Sequence, residues 1–193
     1  MSKVLVIIKS MGIGDLSILI SSIHAISKKI TKSVTVLAQK NTHAHAILKH
    51  DPHVDEVIEL DENEIKSFFS IIKKIKSKQF DQSYIFSDSI RFYLISKLSG
   101  IKENYQYKFL SKKNKNFFKT AQEFTEKILH TKIDSQSKIY FDEKDMEEAK
   151  KKFNISNKTK NIVCGISASG STKRWNINNY IKLFENLNSK FQC

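Results

Sequence analysis

Four short apolar runs recur along the first half of the chain, at Val4–Ile8, Val34–Leu37, Val57–Leu60 and Ser83–Phe86. Each is bounded by polar or turn-forming residues, which predicts short buried β-strands. Between them the period changes. Leu16, Leu19, Ile20, Ile23 and Ile26 fall at spacings of three and four and make one apolar stripe, the pattern of a helix with one buried face. Ile65, Phe68, Phe69, Ile72 and Ile75 repeat that pattern, with Lys66, Lys73, Lys74 and Lys76 placed to face water. Asp61 and Glu64 just ahead fit a capping box, and Asp51-Pro52 marks a turn before the third strand. Strand–helix alternation with crossovers of this length predicts parallel strands in a doubly wound α/β sheet.

Helical patterns continue at Phe117–Leu129 and Asp145–Phe153, followed by the polar break "NKTKN". The opening pattern then returns in outline. Ile162–Ile166 is a predicted strand, "SASGST" a small-residue loop, and Ile177, Tyr180, Ile181, Phe184 and Leu187 a helical stripe that Asn176 is placed to cap. One strand, one loop and one helix cannot bury a sheet. The expectation is therefore a Rossmann-like N-terminal domain over residues 1–157 and the incomplete start of a second α/β domain over residues 158–193, cut off near the last residue.

The first candidate for chemistry is "KSMGIGDL", which follows the first strand and holds two of the chain's five glycines. In a doubly wound sheet, ligands bind beyond the carboxyl ends of the strands. Gly12 and Gly14 suit a turn that takes positive φ or approaches a ligand closely. The dinucleotide fingerprint is absent, because Ser17 stands where its third glycine belongs, and no Gly-Lys-Ser/Thr follows to make a phosphate-binding loop. Asp15 has two readings: it caps the helix, or it is a general base at the mouth of a cleft. A second loop, "GISASGSTKRWNINNY", combines hydroxyls, backbone N–H groups and Lys173 at a helix start. Those are the parts of a phosphate site, and also of a solvated basic turn.

Charge and composition narrow the partners. The chain has 193 residues, 40% hydrophobic, and a net charge of +13 carried almost wholly by lysine, with Arg91 and Arg174 the only arginines. Proteins that grip nucleic-acid phosphates draw on arginine forks as well as lysine, so nucleic acid is not the expected partner, and a lysine-rich codon bias is an equal account of the charge. No apolar run approaches the ~20 residues that span a bilayer, and the N-terminus lacks a secretory pattern, so a cytoplasmic protein is expected. Cys164 and Cys193 form no metal or disulfide spacing. His43, His45, His50 and His53 lie close in sequence, but residues two apart on a helix face different ways and no metal is expected. In "KFLSKKNKNFFK", Lys108, Lys112, Lys113, Lys115 and Lys119 are interleaved with Phe109, Phe117 and Phe118. An amphipathic helix start accounts for this tract first; stacking and charge on single-stranded nucleic acid, or contact with an anionic lipid-linked acceptor or membrane face, are the other readings.

Three stretches together resemble the family-nine glycosyltransferases, the ADP-heptose:lipopolysaccharide heptosyltransferases and their relatives. They are "KVLVIIKSMGIGDLSIL", "HAILKHDPHVDEVIEL" and "ISASGSTKRWNINNYIKLFENL", in the family's order and spanning most of the chain. The resemblance implies a GT-B fold, with the acceptor held by the first Rossmann-like domain and the nucleotide-sugar by the second. It implies inverting, metal-independent transfer with no cofactor, from a nucleotide-sugar donor such as ADP-heptose to an anionic glycolipid acceptor, with peripheral contact at the inner face of the inner membrane. Asp15 would be the general base. Lys173, with Ser169 and Ser171, would hold the donor diphosphate, Gly12 and Gly14 would form the acceptor-side loop, and a hinge near Lys158 would close Asp15 toward Lys173. The chain departs from the family pattern at Ser21 and Asn176, where relatives carry proline. It also lacks the family's segment that holds the nucleoside, so weak donor binding and little turnover are expected of it. The rival reading is a non-catalytic basic α/β module for anionic glycan, lipid or nucleic acid.

Overall fold

The structure is a computed structural model that describes residues 3–9, 12–106, 116–134, 136–156, 161–166, 168 and 170–191. The chain divides into two compact units, Met1–Glu143 and Lys144–Cys193. The first is built on a five-stranded sheet: β1 (Val4–Ile8), β2 (Val34–Gln39), β3 (Val54–Leu60), β4 (Gln82–Phe86) and β5 (Glu103–Gln106). The order is β3-β2-β1-β4-β5, and every pairing is parallel. β1 coincides with its predicted run. β2, β3 and β4 each extend beyond theirs at one end through less apolar residues, because ladder pairing and not hydrophobicity sets where a strand stops.

Alternate residues along a strand face opposite sides, and the core divides accordingly. Val4, Val6 and Ile8 of β1 pack with α1 (Ile13–Ile30) and α6 (Phe117–Leu129) on one face. Leu5 and Ile7 pack with α4 (Phe68–Lys76) and α5 (Ile90–Leu98) on the other. The whole predicted stripe of α1, from Leu16 to Ile26, is buried. Each such side chain contributes roughly 1.5–3 kcal/mol relative to exposure. The Ser22 and Thr125 hydroxyls hydrogen-bond at 3.0 Å and tie α1 to α6 inside this face. The Asp61/Glu64 capping box is present, with Asp61 accepting from the Asn63 and Glu64 N–H groups. These bonds hold the Asp61 carboxyl below its usual range, the one from Glu64 most of all.

The second predicted stripe is not one helix. Ser67, at φ −85° and ψ 98°, breaks it into α3 (Glu62–Lys66) and α4. The break shifts the helical phase, so α4 buries Ile71 and Ile75 while Phe69 stays 79% exposed. β5, of sequence ENYQ, is short and polar, as suits an edge strand that must not recruit another chain. α5 and the short α2 (Ala44–Leu48) complete the crossovers.

The second unit carries all of α7 (Glu143–Lys152) but its first residue, a 3-10 turn at Ser171–Lys173 and α8 (Ile177–Phe191). Asn176 caps α8 as expected, accepting from the Asn178 N–H at 2.9 Å. The strand expected at Ile162–Ile166 does not form, and Val163 is 92% exposed. Extended backbone becomes a strand only against a ladder partner, and among the described residues of this unit there is none. No helix among the described residues is long and apolar enough to cross a membrane.

Candidate functional site

The strand order reverses between β1 and β4, so the loops at their carboxyl ends diverge to opposite faces of the sheet. This is the crevice where doubly wound sheets bind ligands. Ile8 pairs with Phe86 in register, and the two lips of the crevice follow directly. One bears Lys9 after β1 and Gly12 at the start of α1, and the other is Ser87 to Ser89 leading into α5. Each lip starts its helix with an exposed isoleucine, Ile13 at 50% and Ile90 at 56%.

On the α1 side the N-cap is Gly12, at φ −172° and ψ 172°, with no side-chain cap. Asp15 is therefore not the cap. It lies in the first helical turn, half-buried. Gly14 sits beside it within the helix, so neither glycine takes the positive φ offered as one reason for its presence. A Cβ at either would meet nothing within 4 Å. Among the described residues, nothing therefore fills the space beside either glycine.

The other lip holds residues that the sequence reading passed over. Gln106, the last residue of β5, donates through Nε2 to the Ser87 carbonyl at 2.8 Å and the Ser89 carbonyl at 3.0 Å. The Ser89 N–H donates to Ser87 Oγ at 3.1 Å. The loop is thereby fixed with Asp88 at its tip and Ser89 at the start of α5. Arg91 follows in the first turn. Its Nη2 is buried without a hydrogen-bond partner among the described residues, an arrangement that costs free energy unless an anion completes it. The signal available in the sequence was the polar "SDS" directly after the fourth apolar run, to which the carboxyl-end rule applies as it does to the first.

In the second unit Lys173 closes the 3-10 turn, its N–H donating to the Gly170 carbonyl at 3.0 Å. Its side chain is exposed and finds no ion-pair partner among the described residues. Arg174 Nε donates to the Ala168 carbonyl at 2.7 Å. Trp175 packs edge-on against Tyr180, with centroids 5.0 Å apart, and the Tyr180 hydroxyl donates to the Gly165 carbonyl at 3.1 Å. Both aromatic rings are thus committed to holding the loop on α8. Ser169, the Ser171 side chain, the Lys158 hinge and the Lys/Phe tract through Lys115 lie outside the described residues. The histidines make separate contacts. His53 packs on His24, while His50 Nε2 lies 3.6 Å from Asp142 Oδ2.

No family model and no curated protein matches the chain by sequence. Solved structures do match it. The E. coli ADP-heptose lps heptosyltransferase II aligns over 98% of this chain at TM-score 0.70 and 18% identity. A glycosyl transferase family 9 structure from Veillonella parvula DSM 2008 aligns over 94% at TM-score 0.73 and 14% identity. The chain has the α/β fold of the matched part of these two GT-B structures. It spans 62% and 58% of the two matched chains, about three fifths of their length. The fold expected from the three sequence stretches is thus present, with the parallel sheet of its first unit intact.

Proposed function

We propose that this chain is the acceptor-side part of a sugar transferase that uses a nucleotide-sugar donor of the ADP-heptose kind and an anionic glycolipid acceptor of the lipopolysaccharide-core type. The observation that carries the reading is Asp15, a half-buried carboxylate in the first turn of α1 at the β1/β4 crevice, beside glycines that leave room for a ligand. In this role Asp15 accepts the proton of an acceptor hydroxyl. The hydroxyl oxygen bonds to the anomeric carbon, the carbon–oxygen bond to the diphosphate breaks on the opposite face, and the nucleoside diphosphate leaves with the electron pair. The configuration inverts. Lys173, with Ser169 and Ser171, balances the charge gathering on the leaving group. Arg91 is suited to an anionic group of the acceptor, and Ile13 and Ile90 to its apolar portion. An acceptor of this class implies work at the inner face of a membrane.

The test follows ADP release from ADP-heptose in the presence of lipopolysaccharide core, with this chain joined to a complete nucleotide-binding half. Asp15→Ala and Asp15→Asn are expected to lower kcat by roughly 100-fold or more while leaving donor KM little changed. Wild-type turnover in both variants removes Asp15 from the chemistry.

A further inference from the structure

A second concave site lies away from the crevice. A cavity of about 370 Å³ opens between the latter half of α1 and the segment 131–140 that follows α6, within the size range of small-molecule sites. Lys28, on its wall, is roughly 20 Å along the helix axis from Asp15 at 1.5 Å per residue, so the two sites occupy opposite ends of α1.

The charges around this cavity do not balance. Lys28, Lys29, Lys132 and Lys138 line it, against the single carboxylate of Asp134. Lys132 is already engaged, because its ammonium lies 2.9 Å from Glu126 Oε2, an interaction that raises the lysine's pKa. Asp134 Oδ1 already accepts the Gln136 N–H at 2.9 Å. Lys28, Lys29 and Lys138 have no ion-pair partner among the described residues. The Lys138 ammonium sits 4.7 Å from the centroid of the Tyr140 ring, which holds it over the cavity wall. Tyr140 in turn meets His24 edge-on at 5.8 Å, and Ala25 and Ile133 complete an apolar lining. The His24 Nε2 is already engaged, lying 2.7 Å from Asp51 Oδ2. A cluster of like charges around one hollow raises the local concentration of a counter-ion.

We propose that this cavity binds a small phosphate-bearing polyanion, with the phosphates on Lys28, Lys29 and Lys138 and the rest of the molecule against Tyr140 and His24. Three ammoniums disposed around one hollow match a multiply charged compact anion better than a lone carboxylate, and lysine serves phosphate as a flexible point charge. The proposal does not rest on the sugar-transfer reading. Lysines in the last turn of a helix also complement its negative end, and the test separates that role from ligand binding.

Binding is measured calorimetrically on the whole chain with inorganic pyrophosphate. In parallel, it is measured by co-sedimentation with phosphatidic-acid vesicles against phosphatidylcholine vesicles. At least one probe is expected to bind saturably, and Lys28→Gln/Lys138→Gln is expected to weaken that binding by about tenfold or more. The remote pair Lys97→Gln/Lys102→Gln carries the same change in net charge and is expected to stay within about twofold of wild type. Asp134→Asn removes the opposing carboxylate and is expected to tighten binding about threefold or more, a gain that misfolding cannot mimic. Pyrophosphate binding with this variant pattern assigns a soluble phosphate compound, and the pattern on phosphatidic-acid vesicles alone assigns a lipid headgroup. Absence of saturable binding to every probe overturns the proposal, as does equal weakening by the remote lysine pair or failure of Asp134→Asn to tighten binding.

Discussion

His24 Nε2 lies 2.7 Å from Asp51 Oδ2, with both side chains almost wholly shielded from solvent, and the contact joins the middle of α1 to the turn before β3. The other Asp51 oxygen accepts the His53 N–H at 2.9 Å, so one carboxylate holds a helix and a strand entry together. Removing one partner of a buried hydrogen bond leaves the other unsatisfied, at about 1–3 kcal/mol. Asp51→Ala is expected to lose stability of that size in urea unfolding, and the near-isosteric Asp51→Asn less. An Asp51→Ala midpoint equal to wild type contradicts this account.

His53 gives the pH dependence. Burial, then His24 and Lys28, hold its pKa below the ordinary 6.5 against the opposing pull of Asp51. The folded state therefore favours the neutral ring. Below the unfolded value the unfolded chain binds more protons, so stability is complete above about pH 6.5 and falls as pH drops toward the folded pKa. Unfolding free energies measured from about pH 7 to about pH 5.5 are expected to decline more steeply in wild type than in His53→Gln. Parallel slopes would rule out His53 as the source.

The glycines separate backbone need from ligand need. Gly100 follows α5 at φ +88°, with its N–H on the Lys97 carbonyl at 3.1 Å. Gly100→Ala is expected to cost about 1–2 kcal/mol, the penalty of left-handed backbone for a side chain. Gly14 lies inside α1 with open space around it, and Gly14→Ala is expected to raise stability by roughly 0.5–1 kcal/mol. If Gly14 leaves room for the acceptor, the same stabilised variant loses glycolipid binding. A Gly14→Ala variant that binds glycolipid as wild type does limits that glycine to structure.

Arg91 is expected to behave as a ligand group and not as a structural one. Its buried Nη2, unpartnered among the described residues, carries a desolvation cost, so Arg91→Met is expected to leave stability unchanged within about 0.5 kcal/mol or to increase it. The same change is expected to weaken binding of a phosphorylated glycolipid by about tenfold, in line with loss of a charge-assisted contact. A large loss of stability would show instead that the guanidinium supports the fold.

Much of the first unit was legible because its signals are local. The five residues of β1, the stripe of α1, the Asp61/Glu64 box, the Asn176 cap and the limits of α6 are each written within a few neighbouring residues. Other features depend on distant partners. β5 reads as loop because an edge strand of ENYQ is neither apolar nor alternating. Ser67 breaks a helix that the side-chain pattern alone would continue. Ile162–Ile166 is as apolar as a strand but has no described neighbour in its unit to pair with. In the crevice, the Asp15 position follows from the order strand, glycine, helix. Asp88 and Arg91 were passed over because their loop has no glycine, and the polar "SDS" after the fourth run was its only signal. The lysine cavity joins residues of α1 to a segment more than a hundred positions later, a juxtaposition that no local pattern encodes.

Gln106 ends the outermost strand, which has a neighbour on one side only, yet its amide is the clasp on the Ser87–Ser89 loop. Outer strands are where a sheet frays first. Loss of pairing at that rim would release the two carbonyls that hold the lip bearing Asp88 and Arg91. Opening of the sheet margin and widening of the crevice mouth are thus expected to be coupled, and amide exchange at Gln106 together with exchange at Ser89 would test it.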